Sequence, residues 1–246
     1  MNLVSLATQK NLPLRQFMDI DTIKWIEINN PFKGISDHQF PIISSEDIEL
    51  AVKYIAPLEW LLEPSLSETI HGVRHLMRVV IYSILLTKNI DSANPDSKNL
   101  ITASILHDIR REHDKEDAEH GERAAKWFLE NVDMIGRHFG VLYSEKDREE
   151  VAFAIRYHNR DYSEFECGVE YSKFHNIIDL LKIADALDRY RLPKLKWWPN
   201  QTLFRRDVPK NFMIFSYNLV LKSELAFMRN TDGLKAVINS ISKHVI

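Results

Sequence analysis

The chain has 246 residues, 45% hydrophobic and 27% charged, with a formal net charge of -3 and a single cysteine, Cys167. That length suits one sizeable domain or a domain with an appendage, and seven glycines and nine prolines are few enough to favour helices over turn-rich sheet. The charge argues against nucleic acid as an obligatory partner, one cysteine excludes an internal disulfide, and no run approaches the ~20 apolar residues of a membrane span.

The N-terminal MNLVSLATQKNLPL is too short in apolar residues for a signal peptide and has no small-residue cleavage site, so a cytoplasmic protein is expected. Residues 1–44 mix proline, asparagine and aromatic residues and read as an extension packed on the core. From there, apolar positions recur at helical spacing. SSEDIELAVKYIAPLEWLL opens on serine followed by Glu46 and Asp47, a helix-start signal. SETIHGVRHLMRVVIYSILLTK predicts a long helix with Ile70, Val73, Met77, Val80 and Leu85 on its apolar face. SKNLITASILHD predicts the next helix, which ends on His107 and Asp108.

DAEHGERAAKWFLENVDMIGRHF begins acidic and places Ala124, Phe128, Val132 and Ile135 on one face. EKDREEVAFAIRYHN and FHNIIDLLKIADALDRYRL continue the pattern. Residues 193–210 read as an irregular excursion, and NFMIFSYNLVLKSELAFM and DGLKAVINSISKHV as closing helices. No alternating strand pattern occurs, so the expected class is all-α, with an N-terminal extension (1–44), a central domain (45–195) and a C-terminal loop with helices (196–246).

The chain has ten histidines. His71 and His75 stand four apart on one predicted helix and can face one point. His107 and Asp108 are adjacent, His120 opens the following helix, and His158 ends AIRYH. Asp185 lies among apolar residues in LLKIADALDR, and an isolated buried carboxylate is costly unless it is paired or ligates a cation. Imidazoles and carboxylates converging in one helical core suit a divalent metal such as Mn, Fe, Co, Ni or Zn, with Mg also compatible.

The ordered set HGVRHLMRV, LHDIRREHDKEDAEHGERAA, IRYH and LLKIADALDRYRL resembles the HD superfamily of metal-dependent phosphohydrolases over roughly residues 68–192. The resemblance implies an HD-domain helical bundle in which His75, His107, Asp108 and Asp185 ligate a first metal. It also implies His120 and His158 as ligands of a second, with Asp108 bridging, so one or two ions are expected. Such a centre activates water for attack on a small phosphorylated substrate, in the first instance a nucleotide.

Around the ligands, His71 is expected to hydrogen-bond a phosphate or water, and Arg78 to form an internal salt bridge. Arg111 keeps an arginine place of the family pattern and could grip a phosphate, and Arg110, standing where glycine is frequent, is a further candidate substrate contact. Lys182, a turn before Asp185, is expected to neutralise a substrate phosphate, and Asp188 to contact the sugar or pair with Arg189 or Arg191. For Arg110, Asp114 and Asp117 a solvated loop is an equal expectation, and Glu122 is assigned to the helix surface. His38, His113, His138, His175 and His244 lack motif context and read as structural or surface residues, and Cys167 as inert. Trp197 and Trp198 read as loop anchors in preference to a base-stacking platform. Alternative activities are cleavage of cyclic or linear dinucleotides, oxygenation by a mixed-valent di-iron pair, and nucleotide sensing without turnover. A homo-oligomer is left open.

Overall fold

Helices start where a side chain accepts the first free backbone N–H groups. The computed structural model, which describes residues 2–35, 41–89, 97–229 and 231–241, shows this repeatedly. Asn2 accepts from Ser5 N and opens α1 (Leu3–Thr8), and Asp19 accepts from Thr22 N and opens α2 (Ile20–Ile28). The second oxygen of Asp19 takes Leu3 N at 3.0 Å and fastens the two together. Ser44 and Asp47 form a reciprocal capping box for α3 (Ser45–Lys53).

The expected continuation of this helix to Leu62 is absent. Pro57 cannot continue it, and the chain runs instead into short 3-10 turns at Leu58–Trp60 and Pro64–Leu66.

α4 (Val73–Asn89) is the central helix: every residue from Val73 to Leu86 is buried. It is enclosed by α3, by α5 (Ser97–Leu106), α8 (Val169–Leu187), α9 (Lys210–Phe227) and α10 (Gly233–Ile241), so the arginines and histidine it carries must find partners inside the protein. α6 (His120–Phe139) packs on α7 (Glu145–Tyr157), which in turn packs on α5 and α8. Among the described residues there is no β-strand, and the protein is all-α. No helix among them is long and apolar enough to cross a membrane.

Two boundaries differ from expectation near the site. α4 begins at Val73, six residues later than the sequence predicts, because the chain folds back over 67–72. There Val73 N donates to Ser67 O at 2.8 Å, and a Cβ on Gly72 would stand 2.1 Å from that same oxygen. His71 therefore precedes the helix that carries His75. At the other end α8 stops at Leu187, and the backbone tightens into a 3-10 turn at Asp188–Arg191.

Arg74 and Arg78 on α4 are buried and tie it to the C-terminal part of the chain. Glu224 on α9 receives Arg74 Nε at 3.0 Å and Arg78 Nη1 at 2.8 Å. The N-terminal segment packs on the same helix, where Tyr217 donates to Ile26 O at 3.0 Å. Trp198 anchors the irregular 193–210 segment edge-on against Trp25, Tyr190 and Tyr217 and donates to Leu192 O, the loop-anchor role expected of it. Trp197 lies under Lys194.

Candidate metal centre

Five segments deliver the six expected ligands to one place. His75 comes from α4, His107 and Asp108 from the turn after α5, His120 from the first residue of α6, His158 from the C-cap of α7, and Asp185 from the last turn of α8. Asp108 faces two groups at once. Its Oδ2 lies 3.5 Å from His75 Nε2 and 3.9 Å from His107 Nε2, and its Oδ1 lies 2.9 Å from His120 Nε2 and 3.4 Å from His158 Nε2. Asp185 Oδ1 completes the first group at 3.5 Å from His75 Nε2 and 3.9 Å from His107 Nε2. His75, His107 and Asp108 on one side, and Asp108, His120 and His158 on the other, are each arranged so that they could hold a metal ion.

The outer hydrogen bonds of the four rings test that fit. Nδ1 of His75 lies 2.9 Å from Asp188 Oδ2, that of His107 2.7 Å from Ser104 O, and that of His158 2.7 Å from Ile155 O. His120 Nδ1 meets Asp117 O in the same way. Carbonyls and carboxylates only accept, so these partners assign the proton to each Nδ1 and the lone pair to each Nε2.

Yet His75 Nε2 and His107 Nε2 stand 3.1 Å apart, and His120 Nε2 and His158 Nε2 stand 2.9 Å apart. Facing lone pairs repel at that distance unless a cation lies between them. Nitrogens bound at right angles about 2.1 Å from a metal are separated by roughly 3 Å, so the spacing fits a shared ion.

Electrostatics agree. Burial holds His107 at about 3 against the pull of Asp108, and burial lowers His158 as well, so both rings are neutral and able to ligate. Burial pushes Asp108 and Asp185 upward, but it is outweighed at Asp108 by Arg111 and His107 and at Asp185 by His75 and His107; both remain carboxylates.

The centre opens on a cavity of about 790 Å³ lined also by His71, Arg111, Lys182 and Arg191. His71 Nδ1 meets Asp114 Oδ1 at 2.9 Å. Asp114, for which a solvated loop was an equal expectation, is 5% exposed and also receives Thr69 Oγ1 at 2.9 Å and Gln16 N at 2.7 Å. Nothing in the charged run around it signals this, because its partners lie 43 to 98 residues away. Arg111 Nη1 lies 3.3 Å from Asp108 Oδ1 and 3.2 Å from His120 Nε2, against the second group. Arg78 is internal, bound to Asp188 and Glu224.

Three expected substrate contacts require correction. Of the two readings of Asp188, the pairing with Arg191 holds and the sugar contact does not: the residue is fully buried, receives His75 Nδ1 and Arg78 Nη2 at 3.0 Å, and stands 3.3 Å from Arg191 Nη1. Burial opposes its charge, but Arg78 and His75 hold it below the usual carboxylate range. Arg110 donates to Trp60 O at 3.1 Å and lies over the Trp127 ring, outside the cavity wall. Lys182 does line the cavity, but its ammonium donates to the carbonyls of Tyr157, His158 and Arg160, at the C-terminal end of α7 and just beyond it.

Glu122 pairs with Arg156 at the helix surface, and Asp117 with Arg123. His138 meets Ile55 O at 3.0 Å and His175 meets Ser172 O at 3.4 Å, while His113, like these two, takes no part in the centre. Cys167 is exposed and free. His38 and His244 lie outside the described residues.

The sequence model of the HD domain family matches residues 72–191, a stretch that contains all six ligand candidates. No curated protein and no solved structure matches the chain. Residues 72–191 thus match the HD domain, consistent with the resemblance of the motifs to the HD superfamily of metal-dependent phosphohydrolases.

Proposed function

We propose that this protein hydrolyses a small phosphate ester, with nucleotides the first class to test, at a centre of one or two divalent ions. His75, His107, Asp108 and Asp185 would hold the first ion, and Asp108, His120 and His158 the second. A divalent ion there polarises a phosphoryl oxygen and lowers the pKa of water toward neutrality.

The chain's own groups supply the remainder. Arg111 lies at the cavity wall with its guanidinium on Asp108, placed to meet a phosphate oxygen or to yield its place to a second ion. Asp114 engages His71 Nδ1 and leaves its other ring nitrogen as an acceptor for water. The cavity lies within the range of small-ligand sites, roughly 300–1,000 Å³.

The supporting observation is the convergence of four imidazole lone pairs on two carboxylates at the floor of this basic cavity. The test is metal analysis of protein purified without chelators, followed by a phosphoester panel with added Mn, Co or Ni. Release of phosphate or pyrophosphate from a panel member is the expected result. Bound metal with no turnover of any phosphoester rules the proposal out.

A further inference from the structure

Most cations around the cavity are committed to partners within the fold. Arg111 is held by Asp108 and by the carbonyls of His113 and Lys115, and Lys182 by three carbonyls. Arg160 pairs with Glu119, and Arg205 with Glu166. Arg189 and Lys196 are different. Both line the cavity, and among the described residues neither side chain has an acidic or hydrogen-bonding partner.

Arg191, which lies between them in sequence and also borders the cavity, is committed too: it is 2% exposed, its Nε donates to Ile70 O at 2.6 Å and its Nη1 stands 3.3 Å from Asp188 Oδ2.

The cavity's acids do not balance these charges. Asp108 and Asp185 face the imidazoles, which leaves Asp161 among the described lining residues. Arg189 and Lys196 both follow Asp185 within one continuous stretch, so the wall they form carries net positive charge. A partly enclosed cavity concentrates such a field on anions, and guanidinium groups match phosphate geometry. A simple monoester would set its one anionic group at the metal centre and turn a neutral alcohol toward this wall.

We infer that the substrate bears a second anionic group beyond the phosphate that is cleaved, held by Arg189 and Lys196. The class is a small molecule with at least two phosphate groups, such as a nucleoside polyphosphate. The inference deepens the phosphohydrolase proposal and rests on it for the cleavage step alone, because anion binding can be measured without turnover.

The test is calorimetry on the full chain with two matched pairs. One pair is AMP and the non-hydrolysable α,β-methylene analogue of ADP, and the other is inorganic phosphate and methylenediphosphonate. In at least one pair the two-phosphorus ligand is expected to bind ten-fold or more tightly than its partner at 0.1 M salt, with the advantage shrinking as salt rises. The Arg189→Ala/Lys196→Ala variant, shown by circular dichroism to be folded, brings that ratio near one, while Arg189→Lys/Lys196→Arg restores it.

Equal affinities within both pairs, absence of binding included, overturn the inference, as does a ratio that survives the double alanine variant. Turnover of monoesters without the two-anion preference would remove this inference and leave the hydrolase. The preference without any turnover would do the reverse.

Discussion

The carboxylate of Asp188 meets His75, Arg78 and Arg191 at once, and its side chain is fully buried. It fixes the His75 proton on Nδ1 and so aims Nε2 at the centre, while it neutralises two guanidinium groups that could not otherwise be buried. Asp188→Asn keeps the shape and removes the charge. Affinity for Mn or Zn is expected to fall about 10- to 100-fold by titration calorimetry. The fold is expected to lose about 3–5 kcal/mol in urea denaturation, since Arg78 and Arg191 are left short of a counter-charge. A variant with unchanged metal affinity would show that Asp188 serves packing alone. Lys182 teaches a related lesson: burial lowers its ammonium to about 8, and it spends its hydrogen bonds on three backbone carbonyls.

At the scale of elements, the site depends on how closely helices approach and where they begin. Gly121 lies one residue after His120, and a Cβ there would stand 2.8 Å from Arg156 O and 2.9 Å from Ile155 O on α7. Gly121→Ala therefore pushes α6 from α7 and separates His120 from His158. A loss of about 1–3 kcal/mol in thermal unfolding is expected, together with fewer bound ions per chain by elemental analysis.

Asp147 links a different pair. It closes the capping box of α7 and accepts from Asn99 Nδ2 at 2.8 Å and Lys98 Nζ at 3.1 Å on α5. Burial works against its charge, but Asn99 and Ser144 outweigh it and depress its pKa below the ordinary carboxylate value. A depressed folded pKa contributes stability above the ordinary value and loses it as pH falls through the folded one. Asp147→Ala is expected to cost about 1–2 kcal/mol at pH 7. That difference should shrink below about pH 4 in urea titrations. A difference independent of pH would mean that the hydroxyl and amide partners, and not the charge, supply the effect.

Across the whole molecule, the centre and the C-terminal helices share one ion network: Glu224 on α9 holds Arg74 and Arg78, and Arg78 holds Asp188, which orients His75. Glu224→Ala leaves two buried guanidinium groups short of an acid and is expected to cost about 3–5 kcal/mol, read by urea denaturation. Little change would show that Glu68, which pairs with Arg74 Nη1 at 2.7 Å, and Asp188 suffice for the two arginines. Much of this molecule is legible from local pattern. Helical periodicity, capping serines and the ordered histidines and aspartates are short-range signals, so the all-α class, most helices and the six converging residues follow from the chain read in order. The break at Pro57 was written there as well, and apolar spacing alone hid it. Partner choice is another matter. Whether Asp188 turns to substrate or to Arg78, whether Asp114 is solvated or holds His71, and which cations remain free for an anion are settled between residues as much as 110 positions apart. Periodicity carries no information at that range, because burial and charge compensation exist only once the helices have packed.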